Sequence, residues 1–200
     1  MKRPGRQLIL ASNSKARLRV LRDAGFDPHV AASGVDETIG HMTTAEAVTT
    51  LAERKAHAVA PGFPDALVLA CDSMLELEGA SIGKPESEAD VVTVWGRLAD
   101  RRAPLWTGHY LIDMRSGTSA RAVVSTQIGF GHPSSEELRA YAATGDALEL
   151  AGAFSIEGRG GPFVESVEGS PSNVLGLSLP HFRSMLAEIG VQIFDLWRDL

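Results

Sequence analysis

Gln7-Leu-Ile-Leu-Ala-Ser-Asn-Ser-Lys-Ala-Arg17 sets the architecture of this chain. Residues 7–11 read as a short buried strand, because the run is apolar and too short for a helix. Ser12-Asn13-Ser14 follows at once and supplies helix-capping side chains ahead of Leu18 and Leu21. A buried strand delivered onto a helix N-terminus is the elementary unit of an α/β layer fold.

The pattern repeats outward from there. Gly25 ends the first helix, and Pro28 to Ala32 reads as a second strand. Thr43 or Thr44 caps a helix carrying Ala47, Val48, Leu51 and Ala52 at helical spacing, stopped by Pro61-Gly62. Ala66 to Ala70 is a further buried strand with Asp72 at its C-terminal end, and Met74 to Leu77 alternates before a hairpin turn at Glu78-Gly79. Glu86 to Leu98 is helical in pattern. Leu105 to Ile112 and Ala122 to Phe130 form a strand pair joined through Arg115-Ser-Gly117. A helix starts at Ser134 or Ser135 and runs through Tyr141, Phe163 to Val167 is a short strand, and Pro180 to Ile189 is a late helix stopped by Gly190. Strands and helices alternate around a strand-rich middle, so the expected fold is α/β with a mixed sheet.

The composition fits such a core. Of 200 residues, 44% are hydrophobic and 22% charged, ordinary values for a globular domain. A net charge of −6 excludes a protein built to coat a nucleic-acid backbone. A polyanionic substrate then needs a local basic pocket. The N-terminal Lys2, Arg3 and Arg6 read as a solvated tail. The single cysteine, Cys71, excludes an intramolecular disulfide and a cysteine metal cage, and points to a reducing compartment. No signal peptide and no transmembrane run are recognisable, so a cytoplasmic protein without membrane partners is expected.

Several segments offer chemistry. Ser12 and Ser14 at a helix N-terminus, with Arg17 one turn on, can bind phosphate through hydroxyls, free N–H groups and a planar charged fork; the plainer alternative is a helix cap and a surface arginine. Asp72 after an apolar strand stands where α/β folds place their sites, as a general base or a metal ligand, although a turn-forming aspartate is also common there. Lys84 sits in Gly83-Lys84-Pro85, a rigid corner from which an ammonium can reach phosphate. Glu37, in Val35-Asp36-Glu37, can join Asp72 at a divalent cation. Lys55 shares its helix with Glu46 and Glu53, and a surface ion-pair role is the simplest account of it. Walker and nucleophile-elbow motifs are absent, and the six histidines show no metal-ligand spacing.

Taken together these segments resemble the Maf family of nucleotide pyrophosphatases over nearly the whole chain. The carrying stretches are Leu8-Ile-Leu-Ala-Ser12 with Ser14 and Arg17, Val35-Asp36-Glu37, Leu51-Ala52 with Lys55-Ala56, Ala70-Cys71-Asp72-Ser73, Gly83-Lys84-Pro85, Thr107-Gly108 and Ser134 to Tyr141. Two C-terminal signatures, residues 151–158 and 168–177, complete the order. The resemblance implies one domain over residues 1–200, made of two lobes around a central cleft, with helices on both sides of the mixed sheet in the manner of inosine triphosphatases. It implies hydrolysis of nucleoside triphosphates, non-standard or modified ones in a house-cleaning role, to monophosphate and pyrophosphate. It implies a divalent cation, Mg²⁺ or Mn²⁺, and in many members a homodimer. Carried over, Asp72 is the base and a metal ligand with Glu37, while Ser12, Ser14, Arg17, Lys55 and Lys84 hold the triphosphate. Ala16, Ser73 and Glu157 fall at positions that sort substrates; they match neither the dTTP/UTP branch nor the 7-methyl-GTP branch and share only Glu157 with the latter. The carboxylate of Glu157 suits an N–H-rich base edge, guanine or cytosine in type. Lys15 stands where the family usually has proline. Two rival readings remain: a nucleotide-binding regulator of cell division without turnover, and a sugar-nucleotide enzyme using the same phosphate physics.

Overall fold

The computed structural model describes residues 6–198. Its strands are β1 (Leu8–Leu10), β2 (His29–Val30), β3 (Leu67–Leu77), β4 (Ala80–Ile82), β5 (Arg102–Asp113), β6 (Thr118–Phe130) and β7 (Val164–Glu168). They form one seven-stranded sheet in the order β2-β1-β3-β5-β6-β7, with β4 paired to β3 off that path. β1 is parallel to β2 and β3, and every other pairing is antiparallel, so the sheet is mixed. The helices are α1 (Lys15–Asp23), α2 (Thr44–Val59), α3 (Glu88–Leu98), α4 (Ser135–Ala143), α5 (Pro171–Val174) and α6 (Leu179–Glu188).

The period-two alternation of β3 decides which helix goes where. Leu67, Leu69 and Cys71 face Val20 and Leu21 of α1 and Phe182, Met185 and Leu186 of α6. Val68 and Ala70 face Ala52, Ala56 and Val59 of α2. Helices therefore cover both sides of the sheet. Farther along the same strands, Leu75, Leu77 and Leu105 pack with Trp95 and Leu98 of α3 and Leu138 and Tyr141 of α4 in a separate core. The long strands β3, β5 and β6 run through both ends. Among the described residues no helix is long and apolar enough to cross a membrane.

Two features depart from the sequence reading in ways that matter. The stretches 66–70 and 74–77 are not separate strands: β3 is continuous, held by an unbroken ladder to β5 from Leu67↔Asp113 to Leu75↔Leu105. Asp72 is thus mid-strand rather than at a strand end. Arg6 is no free tail residue, since its Nη1 lies 2.5 Å from the buried Asp113 carboxylate; Lys2 and Arg3 lie outside the described residues. The four-residue helix α5, within the 168–177 signature, adds to the helices expected from the sequence.

Candidate active site

The site is built where the sheet is incomplete. On one edge of β3, the β1 ladder ends at Leu10↔Leu69 and the β4 ladder begins at Leu75↔Ile82. β5 occupies the opposite edge throughout. Among the described residues no strand faces 70–74 on the first edge, and Asp72 and Ser73 sit in the middle of this opening. The opening lies just past the C-terminal end of the parallel strand β1, where α/β sheets commonly bind ligands.

Because side chains alternate, Asp72 and Ser73 serve opposite faces. Asp72 points to the α2 side, where Lys55 Nζ is 2.5 Å from Asp72 Oδ1 and 2.7 Å from Glu37 Oε1. Lys55 and Asp72 are both buried, at 7% exposure each. Lys55 is no surface charge: its position continues the apolar stripe Val48, Leu51, Ala52, Ala56, Val59 that packs on the sheet. The phase of that stripe was visible in the sequence and would have predicted its burial. Gly108 is the cross-strand partner of Asp72, and a Cβ there would come within 2.3 Å of the Val48 carbonyl oxygen. The bare glycine lets α2 settle onto β5 and brings Lys55 to the carboxylate. Glu37 arrives from a loop held at Thr38: the Thr38 N–H donates to Asp36 Oδ1 at 2.9 Å, and Arg54 Nη1 of α2 donates to the Thr38 carbonyl at 3.0 Å.

Ser73 points to the α1 side and accepts from Arg17 Nη2 at 3.0 Å. Arg17 also donates from Nη1 to Ser12 Oγ at 3.1 Å and from Nε to the Gly176 carbonyl at 2.8 Å. A Cβ on Gly176, whose φ is +92°, would meet Arg17 Nε at 2.9 Å, so glycine is required for this approach. Ser14 caps α1 by accepting the Arg17 N–H, and Ser12 Oγ accepts the Ser14 N–H at 3.2 Å. Both serines are thus acceptors within the protein, which leaves their O–H groups to donate outward. The first turn of α1 holds no acidic residue, unlike those of α2, α3 and α4. The result is a cradle for an anion: two hydroxyls, a guanidinium and the free N–H groups of a helix start.

The remaining candidates are placed less uniformly. Ala16 is on α1, and Glu157 pairs with Arg19 one turn along the same helix. Arg19 carried no signal in the sequence. Lys84 is not drawn to Asp72 or Arg17; its Nζ is 3.1 Å from Glu149, with both side chains exposed. A cavity of about 750 Å³ lined by Val124, Ser170, Ser172, Leu179 and His181 contains none of these residues. Cys71 is buried beside the site, and burial pushes its thiol up to about 12, so it is an inert core residue. His109 is a core histidine too. Its Nε2 accepts the Ser178 N–H at 2.9 Å, and burial, with Arg17 adding, lowers its pKa from 6.5 to about 4.

For a divalent cation the donor set fits one mode of binding. Among the described residues no group of three His, Cys, Asp or Glu converges. Asp72 and Glu37, brought together by Lys55, supply hard carboxylate oxygens. Two carboxylates suffice where phosphate oxygens and water complete the shell, as is usual for Mg²⁺.

Residues 7–189 match the sequence profile of the family described as "Maf-like protein". The nucleoside triphosphate pyrophosphatase of Streptomyces avermitilis is 46% identical over 197 residues, covering 97% of this chain and 96% of the relative. Proteins of the same name from Saccharopolyspora erythraea and Microcystis aeruginosa are 45% and 44% identical, over 96% and 95% of this chain and 97% and 98% of their own. Among solved structures, the Ham1 protein of Staphylococcus aureus aligns with a TM-score of 0.44 at 20% identity, over 63% of this chain and 72% of that one.

Proposed function

The chain belongs to the Maf family, and we propose that it hydrolyses nucleoside triphosphates to the monophosphate and pyrophosphate, with Asp72 as the general base. One observation carries this reading. At the open edge of β3, a buried carboxylate held by Lys55 stands next to the anion cradle of Ser12, Ser14 and Arg17. The similarity to nucleoside triphosphate pyrophosphatases at 44–46% identity supports it.

In this mechanism the triphosphate lies along the open edge, held by Ser12, Ser14 and Arg17 with Lys55 alongside. Asp72 accepts a proton as water forms a bond to the α-phosphorus, the bond from that phosphorus to the bridging oxygen breaks, and pyrophosphate leaves. The fixed donors neutralise charge that develops on the phosphoryl oxygens. Asp72 and Glu37 are the residues that would hold a divalent cation, Mg²⁺ or Mn²⁺, jointly with the substrate; when bound it supplies charge neutralisation at the reacting phosphates. Lys84 reaches the polyphosphate only by leaving Glu149. Such a release costs little, because an exposed ion pair is worth about 0–1 kcal/mol.

Ala16, Ser73 and Glu157 border the base. Glu157 accepts and does not donate, so guanine- or cytosine-type bases, standard or modified, suit it better than thymine. Arg19 takes up part of that capacity, which narrows the preference. The chain acts as one domain of two lobes, on free nucleotides in the cytoplasm. Incubation with a panel of standard and modified nucleoside triphosphates and Mg²⁺ tests the reading. Monophosphate and pyrophosphate in equal amounts are expected. Diphosphate with orthophosphate, or binding without turnover, would reject it.

A further inference from the structure

Thr107 lies behind the anion cradle, fully buried on β5 as the cross-strand partner of Ser73. Its Oγ1 is 3.0 Å from Ser73 Oγ and 3.3 Å from the Asn173 carbonyl oxygen. The carbonyl can only accept, and threonine has one O–H to give. If Thr107 donates to Asn173, Ser73 donates to Thr107, and the Ser73 oxygen turns lone pairs alone toward Arg17 Nη2. All three contacts are then hydrogen bonds. With the opposite polarity, Thr107 and the Asn173 carbonyl face each other as two acceptors, and the Ser73 proton is left unused. Buried polar groups favour the arrangement that pairs every contact.

The far end of this hydrogen-bond chain is anchored in the core. Asn173 is fully buried on α5, and its Nδ2 donates to the Leu105 and Val124 carbonyls and to Thr126 Oγ1 at 3.4, 3.3 and 3.1 Å. The near end is the guanidinium. Of its five N–H groups, Gly176, Ser12 and Ser73 take one each from Nε, Nη1 and Nη2. One N–H on each Nη remains for an anion.

We propose that Thr107 is a positioning residue for polyphosphate binding: it fixes Ser73 as an acceptor, and Ser73 in turn holds the Arg17 guanidinium with its remaining N–H groups free for phosphate. This rests on the assignment of Arg17 to phosphate binding made above. Without the Thr107 hydroxyl, the Ser73 proton is free to turn toward the guanidinium, and Nη2 loses its anchor.

The test uses inorganic tripolyphosphate, whose binding is read by calorimetry with no turnover required. Thr107→Val is expected to bind it about tenfold more weakly than wild type, Thr107→Ser to recover most of that loss, and Thr107→Val to add nothing in an Arg17→Ala background. Thr107→Ala carries the same expectation should the valine methyl group not be accommodated. Unchanged affinity in both hydroxyl-less variants overturns the proposal. So does an equal loss with and without Arg17, which would mark a purely structural role, and so does wild-type affinity in Arg17→Ala. Pyrophosphate release from nucleotides is measured separately, so failure of the hydrolase reading and failure of the Thr107 proposal are distinct results.

Discussion

Gly108 stands directly across the β3–β5 ladder from Asp72, and the side chain it lacks would occupy the place of the Val48 carbonyl. One position thus governs both how closely α2 packs and whether Lys55 reaches the carboxylate. Gly108→Ala is expected to push α2 outward and cost about 1–3 kcal/mol, as overpacking does. Pyrophosphate release should fall by more than the loss of folded protein explains. Chemical denaturation beside activity at equal folded fraction checks this.

Lys55 compensates a buried carboxylate, so its removal should be costly in itself. Lys55→Met leaves Asp72 uncompensated and is expected to lose on the order of 3 kcal/mol. Adding Asp72→Asn removes the stranded charge, and the double variant should regain much of that stability. Urea midpoints of the single and double variants decide the matter; strictly additive losses would mean that the two side chains do not interact.

The α/β class and most elements were legible because periodicity and caps are local signals. Of the paired cap candidates, Thr43 caps α2 and Ser134 caps α4, each through a capping box. What stayed hidden was relational. Asp72 looked like the end of a strand because polar Asp72-Ser73 interrupts an apolar run; only the β5 ladder shows that the strand continues. The plain reading of Lys55 as a surface charge rests on its acidic neighbours Glu46 and Glu53, although the phase of α2 puts it on the buried stripe. Thr107, Asn173 and the Gly176 carbonyl enter the site through contacts spanning 34, 66 and 159 residues, which no local pattern encodes.

His109 makes stability depend on pH. Its folded-state pKa of about 4 lies below the ordinary 6.5, so between those values the unfolded chain binds a proton that the folded chain refuses. Its stabilising contribution is complete above pH 6.5 and is lost as pH falls toward 4, by roughly 3 kcal/mol in total. His109→Gln, which retains an acceptor for the Ser178 N–H, should flatten the acid limb. Thermal melts from pH 7 to pH 4 measure it; an unchanged limb in the variant would assign the acid loss to other groups.

The exposed Lys84–Glu149 pair allows the proposed role of Lys84 to be tested separately. Glu149→Gln releases Lys84 from its exposed partner and should change stability by no more than about 0.5 kcal/mol. If Lys84 contacts the substrate, KM falls in Glu149→Gln and rises in Lys84→Met, with kcat less affected. A KM unmoved by both variants would remove Lys84 from the binding set.

The most direct test of the account is pyrophosphate release with Mg²⁺ by the wild type and by Asp72→Asn, each with its fold verified by denaturation. The account predicts release from a defined set of nucleoside triphosphates by the wild type and a loss of on the order of 10³-fold in Asp72→Asn. An Asp72→Asn protein that retains activity within a few-fold of the wild type would contradict the role of this carboxylate, and with it the mechanism built on the open edge of β3.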